Sequence, residues 1–429
     1  MTAIKLLFKN SRPLKYFIFS LTFIVFAVIL TSCEQNPTAP NEPPKPPGYQ
    51  EDIYWPSLAD SPWPMNHHDP QSTGRSKFVG PASVKSISFL SSGELQNSIA
   101  IGLENNILFS PTRDSASLYS IDFDGQILWT INIPSSEIFT TPLVAADGTV
   151  YFFTRQFNDW NLYSVEKNGN IKWSYKPGGG LMTLGLNIGI DGTIYFIDGL
   201  QNLVALDKWG KEKWKLNDNR FFSNMYSSLS FSPNGNDLYI QGLSDVTLIA
   251  VSIIEHKVIW TWGQRPLYNS PVVDSEGHIY VFPSYNQQSD EPKFYSINKD
   301  GTIRWEFQYN PSRYDYYLGL DPTIDKEGNV YFGSDTIYSL NFVGMLKWKY
   351  GINSDSLSDN NSSPLVCDAQ SNIYLGTSEK KIICLDKEGQ VRWITTQTQE
   401  RALGYSPVIN NLGTLFFPTF RSNNIIKIK

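Results

Sequence analysis

Residues Ser363–Thr395 read SPLVCDAQSNIYLGTSEKKIICLDKEGQVRWIT. An apolar run (LVC) is followed by a tight turn, a second run (IYL), a variable loop, a third run (IICLD), a second tight turn and a fourth run ending at Trp393. Short runs rich in Val, Ile, Tyr and Phe, punctuated by Gly, Asp and Asn, are strand-and-hairpin signals. The same order recurs upstream as SPVVDSEGHIYVFP (Ser270–Pro283) and KFYSINKDGTIRWEF (Lys293–Phe307). Each unit therefore predicts four strands, A to D.

Seven tryptophans mark the period: Trp129, Trp173, Trp214, Trp260, Trp305, Trp348 and Trp393, spaced 41–46 residues apart. A repeat of roughly 40–45 residues with four strands is the signature of propeller blades. The C–D turns share a grammar, with Asp or Asn at the start and Gly three residues on: Asp122/Gly125, Asp207/Gly210, Asn298/Gly301, Asn341/Gly344 and Asp386/Gly389, with Glu166/Gly169 as a variant. Glycine supplies the positive φ, and the Asx side chain bonds local amides. The fourth repeat departs, since Ser252–His256 has no Gly. An indole on an outer strand is expected to pack between blades and to donate its N–H to a backbone acceptor. This periodic use makes the tryptophans packing residues and the turn carboxylates structural ones.

The fold expected is all-β: an eight-bladed propeller of four-stranded antiparallel blades. Residues 406–429 supply strands A, B and C of an eighth blade and stop before D. Val84–Leu90 has no partner in the first repeat. Pairing the two closes the ring and removes exposed strand edges. Seven blades with peripheral end strands is the alternative.

The front of the chain has a different character. Lys5, Lys9, Arg12 and Lys15 precede an apolar stretch over Tyr16–Leu30, as in a signal peptide and too short for a comfortable membrane span. Leu30-Thr31-Ser32-Cys33 resembles the bacterial lipobox. The resemblance implies cleavage before Cys33 and its lipidation, with several acyl chains as a stable anchor. Glu34 follows, rather than the Asp that resembles an inner-membrane retention signal, which favours the outer membrane. A Pro-rich stretch over Asn36–Gly48 reads as an extended spacer. The expected domains are 1–32 (signal peptide), 33–60 (lipidated Cys and linker) and 61–429 (propeller). Removing the signal peptide removes four basic and no acidic residues, taking the formal charge from −6 to −10. Such an acidic chain is a poor nucleic-acid ligand.

Ser61–Pro81, SPWPMNHHDPQSTGRSKFVGP, followed by repeats of the form GxIYxxS…LYxxDxxGxxxW, resembles the PQQ-like β-propeller repeat family. That family includes quinoprotein alcohol dehydrogenases and BamB-like outer-membrane assembly lipoproteins. Ala205-Leu206-Asp207-Lys208-Trp209-Gly210, with Trp214, is similar to the quinoprotein tryptophan-docking motif, lacking its Thr and one residue. A quinoprotein dehydrogenase also needs an adjacent cysteine pair, a calcium site and a catalytic Asp. The cysteine pair is absent and no compact acidic cluster stands out. No catalytic residue, cofactor or metal is therefore expected. His67-His68-Asp69 lacks usual zinc spacing and reads as a tail on the propeller rim. His256 and His278 read as solvated turn residues. Cys367 and Cys384 fall on strands A and C of one blade, about 10 Å apart, and read as buried unbridged thiols.

Hairpin direction puts the A–B and C–D turns on one face and the B–C and D–A loops on the other. The second set is long and carries aromatic and Arg residues: Arg155, Phe157, Trp160 and Tyr285 in B–C loops, and Arg220, Phe221, Phe222, Tyr226, Arg265, Arg313, Tyr314, Tyr316, Tyr317 and Arg401 in D–A loops. Variable loops on rigid scaffolds carry recognition, and Tyr, Trp and Arg are common anchors. The expectation is a monomeric, non-catalytic protein- or peptide-binding propeller, held at the bacterial envelope by its lipid. The alternatives are a PQQ-dependent dehydrogenase-like enzyme and a carbohydrate-binding surface lipoprotein.

Overall fold

Eight sheets of antiparallel strands make up the computed structural model. The structure describes residues 44–429 except 92–93, 96, 112–116, 134–136, 139, 157–158, 180–184, 223–227, 244, 268, 284–290, 311–320, 334, 353–362, 378, 396–404 and 420–423. The chain divides into two compact units, Met1–Pro46 and Pro47–Lys429, and the strands among the described residues lie in the second. Cys33 lies outside the described residues.

Blade 7 shows the unit. Its strands, from the inside outward, are Val366–Cys367, Ile373–Gly376, Ile382–Leu385 and Val391–Thr395. The first three are buried throughout, and the outer strand alternates between exposed and covered positions. Blades 1 to 6 repeat this order, beginning at Ala100, Leu143, Asn187, Ser230, Val272 and Thr323. Blade 2 carries one strand more than expected: Glu137–Ile138 pairs with the far end of Val150–Gln156.

The ring closes as the sequence implies. Ile87–Ser91 runs antiparallel to Asn424–Ile428, with Ile87 opposite Ile428 and Ser91 opposite Asn424. The pairing extends outward, as Lys85 and Ser86 donate to the Lys429 carbonyl and Lys429 donates back to Ser86. The N-terminal strand is thus the outer strand of blade 8.

Six of the repeat tryptophans lean on the C–D turn of the next blade; Trp393, facing blade 8, donates instead to the Pro81 carbonyl at 2.9 Å. Trp173, Trp260, Trp305 and Trp348 donate Nε1–H to the carbonyls of Lys208, Lys299, Phe342 and Lys387 at 2.8–3.1 Å. The ring lies over the turn glycine, so a Cβ on Gly344 would come within 2.6 Å of Trp305, and one on Gly210 within 2.7 Å of Trp173. Both glycines also have φ above +80°. Blade 4 solves its missing glycine differently. His256 takes the left-handed position (φ 54°) and stacks on Trp214 at 4.5 Å. His256 is therefore exposed but ring-stacked, and His278 is held by Asp274 Oδ2 at 2.8 Å rather than solvated. Opposite each tryptophan on strand C is a small residue, Ser or Ala in six blades and Cys384 in the seventh. Cys384 and Cys367 are buried free thiols on strands C and A, separated by strand B, where Cys367 pairs with Ile373 and Cys384 with Tyr374.

Candidate functional site

The inner strands of a propeller leave one row of amides without a partner inside the sheet, and buried amides need acceptors. Here one loop supplies them in six of the eight blades. The carbonyls of Trp63, Pro64, Pro70, Gln71, Thr73 and Gly74 accept from Ile101, Val144, Phe231, Val273, Ile324 and Cys367, at 2.7–3.2 Å. These amides belong to blades 1, 2, 4, 5, 6 and 7 in order. Blade 3 uses a side chain instead: Asn187 Oδ1 accepts from Ile188, and its Nδ2 donates to Pro70 and Leu229. The Ser61–Pro81 segment therefore lies across the inner strands, not on the rim where the sequence reading put it. Rim packing would have left these amides unmet.

The loop turns sharply to do this. His67, His68 and Ser72 all have left-handed φ (56°, 78° and 56°). The two histidines point to different partners. His67 Nε2 meets Asp321 Oδ2 at 2.5 Å, both side chains almost fully buried. His68 Nδ1 bonds Asp69 Oδ2 at 3.1 Å, and its ring sets an edge against Trp63. Asp69 also accepts from the Thr73 amide at 3.0 Å and from its hydroxyl. Burial opposes the Asp69 charge, but the bonds from His68 and Thr73 outweigh it and hold the carboxyl below its usual range. Among the described residues no three His, Cys, Asp or Glu side chains come together as a metal site.

Residues before Ser61, which the sequence reading assigned to a linker, belong to the same unit from Pro47 onward. Gln50 bonds the Lys326 carbonyl and the Ser275 amide, Trp55 Nε1 donates to Ile188, and Ala59 donates to Val144. Between this pass and the return pass over residues 68–77 lies a cleft of about 440 Å³. It opens among the A–B turns, since Ser275, Lys326 and Ala369 contribute to its wall. The only hint of it in the sequence was the density of polar and turn-forming residues around two tryptophans.

The B–C and D–A loop residues are placed unevenly. Arg155 sits directly across from Trp160 at the end of the long blade 2 hairpin, its guanidinium 5.6 Å from the indole centroid. Arg220 is clamped by Asp218, with Nε at 2.8 Å and a terminal nitrogen at 2.5 Å. Phe222 and Arg265 are half-buried. Phe221 is fully buried in the core of blades 3 and 4, so it packs the scaffold and presents nothing to a partner. Phe157, Tyr226, Tyr285, Arg313, Tyr314, Tyr316, Tyr317 and Arg401 lie outside the described residues. Of the candidate residues, Arg155 and Trp160 are the pair brought together.

Comparison with known proteins gives a family model described as outer membrane protein assembly factor BamB, matching residues 79–224 and 244–423. No curated protein sequence matches. Among solved structures, BamB from Moraxella catarrhalis is 15% identical with a TM-score of 0.60, over 80% of this chain and 98% of that one. Quinohemoprotein alcohol dehydrogenase from Comamonas testosteroni is 11% identical with a TM-score of 0.63, over 87% and 80%. The C-terminal WD40 domain of Sif2 is 11% identical with a TM-score of 0.62, over 82% and 99%. At these identities the structural likeness concerns the fold alone.

Proposed function

The chain belongs to the PQQ-repeat propeller family described as outer membrane protein assembly factor BamB, and on that premise we propose that it is a non-catalytic, protein-binding propeller of the bacterial envelope. The observation that carries the binding reading is the Arg155–Trp160 pair at the tip of the extended blade 2 hairpin. A planar cation over an indole is a rigid contact element of the kind that anchors interfaces. Arg220 and Phe222 lie on the same loop face, opposite the short turns, and Arg265 joins them. The anchor in this reading is the lipid on Cys33.

The test is site-specific photocrosslinking in native cells. A benzophenone amino acid at Trp160 or Phe222 is expected to trap the same protein adduct. At Trp209, on the turn face, it is expected to trap none. Equal adducts at all three positions, or none at any, would remove the assignment. Labelling with a radioactive fatty acid, lost on Cys33→Ser, tests the anchor separately.

The dehydrogenase fold neighbours motivate a second reading. It predicts a quinone absorbance change when PQQ and Ca²⁺ are added to the purified protein. The sequence lacks the adjacent cysteine pair of that class, so no change is expected.

A further inference from the structure

The cleft on the turn face has an unusual cation in its wall. Arg75 has only a tenth of its side chain exposed, yet none of its contacts is short. One terminal nitrogen reaches the Asp325 carbonyl at 3.3 Å; the other reaches the Glu51 carbonyl at 3.4 Å and Asp52 Oδ1 at 3.7 Å. A paired guanidinium normally holds its carboxylate at about 2.7–2.9 Å, commonly through two parallel bonds. Asp52 does not provide this, because Lys326 takes it at 2.7 Å. Gln71 lines the same cleft at 2% exposure, and its Nε2 donor has no partner. Two buried donor groups, one of them charged, thus border one concavity of ligand size.

We propose that this cleft binds a small molecule through a carboxylate, with Arg75 holding the anion and the Gln71 amide as a second donor. The charge balance favours a single negative charge. Asp52 and Asp69 also border the cleft, and a dianionic phosphate would meet both. Trp55, Leu58 and Pro70 supply apolar wall, suited to a short carbon skeleton attached to the carboxylate. The ligand class is therefore an acylated amino acid or an acidic sugar, which share this group. The inference is independent of the loop face and of any partner bound there.

Titration calorimetry on the full-length protein in detergent decides it. The probes are N-acetyl-L-alanine against its amide, and D-glucuronate against D-glucose. One carboxylate is expected to bind about tenfold or more tighter than its neutral counterpart, the scale of a charge-assisted pair. Which of the two binds identifies the source. Arg75→Gln, checked for an unchanged circular dichroism spectrum, is expected to abolish the preference. No binding by either acid, or equal binding by acid and neutral analogue, overturns the proposal. So does a folded Arg75→Gln that keeps the preference. If that variant does not fold, the acid-over-neutral comparison on the unaltered chain is decisive without it.

Discussion

Lys427 Nζ donates to the carbonyl of Phe123, which occupies the turn position that accepts an indole N–H at four other blade junctions. Blade 8 has Ser88 where the other outer strands have tryptophan, and Ser88 is paired with Lys427. The long lysine on strand C reaches over that small residue and does the bonding that the indole does elsewhere. Its ammonium also meets Asp124 at 2.8 Å. The junction that seals the ring is therefore polar where its counterparts are aromatic.

Lys427→Met keeps the length of the side chain and removes the donor. The variant is expected to lose about 1.5–3 kcal/mol, the usual contribution of a hydrogen bond to a charged group. Asp124→Asn should leave stability unchanged within error, because the exposed carboxylate contributes little. Urea unfolding of both variants checks this. Equal losses would place the closing interaction in the ion pair and not in the carbonyl bond.

The loop over residues 63–74 joins six inner strands at once. Removing it leaves their amides without these acceptors, at a cost of about 1–3 kcal/mol for each one that stays buried and unpaired. A chain beginning at Pro47 should unfold cooperatively at the temperature of the full protein. A chain beginning at Ala82 should show no cooperative transition. Calorimetric scans of the two truncations are the measurement, and a sharp transition in the shorter one would make the loop an accessory.

The ring was legible because its determinants are local and repeated. The turn glycines, the Asx residues before them and the metred tryptophans each report a conformation within a few residues. Even the closure could be read, since Val84–Leu90 lacked a partner in its own repeat. The path of Ser61–Pro81 could not. Its hydrogen bonds go to residues up to about three hundred positions away, as Ser76 does to Cys367, and no periodicity encodes them. The same limit misplaced Phe221. It is an aromatic in a D–A connection, yet it bridges to Gly242 and packs inward. Arg75 carried no signal of its own, because an arginine between Gly and Ser looks like any loop cation until its neighbours are known.

Asp69 gives the structure an acid-sensitive point. Its carboxyl titrates below the ordinary aspartate value in the folded chain, against burial, because His68 and Thr73 bond the charged form. A group depressed in the folded state contributes stability above its unfolded pKa, about 3.9, and that contribution disappears as pH falls through the folded value. The melting temperature of the native chain should therefore drop more steeply on the acid side than that of Asp69→Asn. The two curves should converge towards low pH. Parallel curves from neutral pH down to the acid limit would detach Asp69 from the stability of the loop.

The two thiols of blade 7 should be chemically silent while the blade is folded. Burial pushes Cys384 up to about 12, and it pushes the Cys367 thiol well above the ordinary range too, despite a bond from Thr323. Thiolate is the reactive form, so both its scarcity at neutral pH and the lack of access suppress alkylation. Iodoacetamide applied to the native protein at pH 8 should modify neither residue. After denaturation in guanidinium chloride both should react at the rate of a free thiol. The dependence on denaturant is the informative part. Cys367 donates to the carbonyl of Ile324 in blade 6 and its own amide is held by Gly74. Cys384 instead faces Trp393 across strands of the same blade. If the blade 6–7 junction opens before the ring unfolds, mass spectrometry will find Cys367 labelled at lower denaturant than Cys384. Simultaneous labelling will show that the ring, once closed by Lys427, comes apart as one unit.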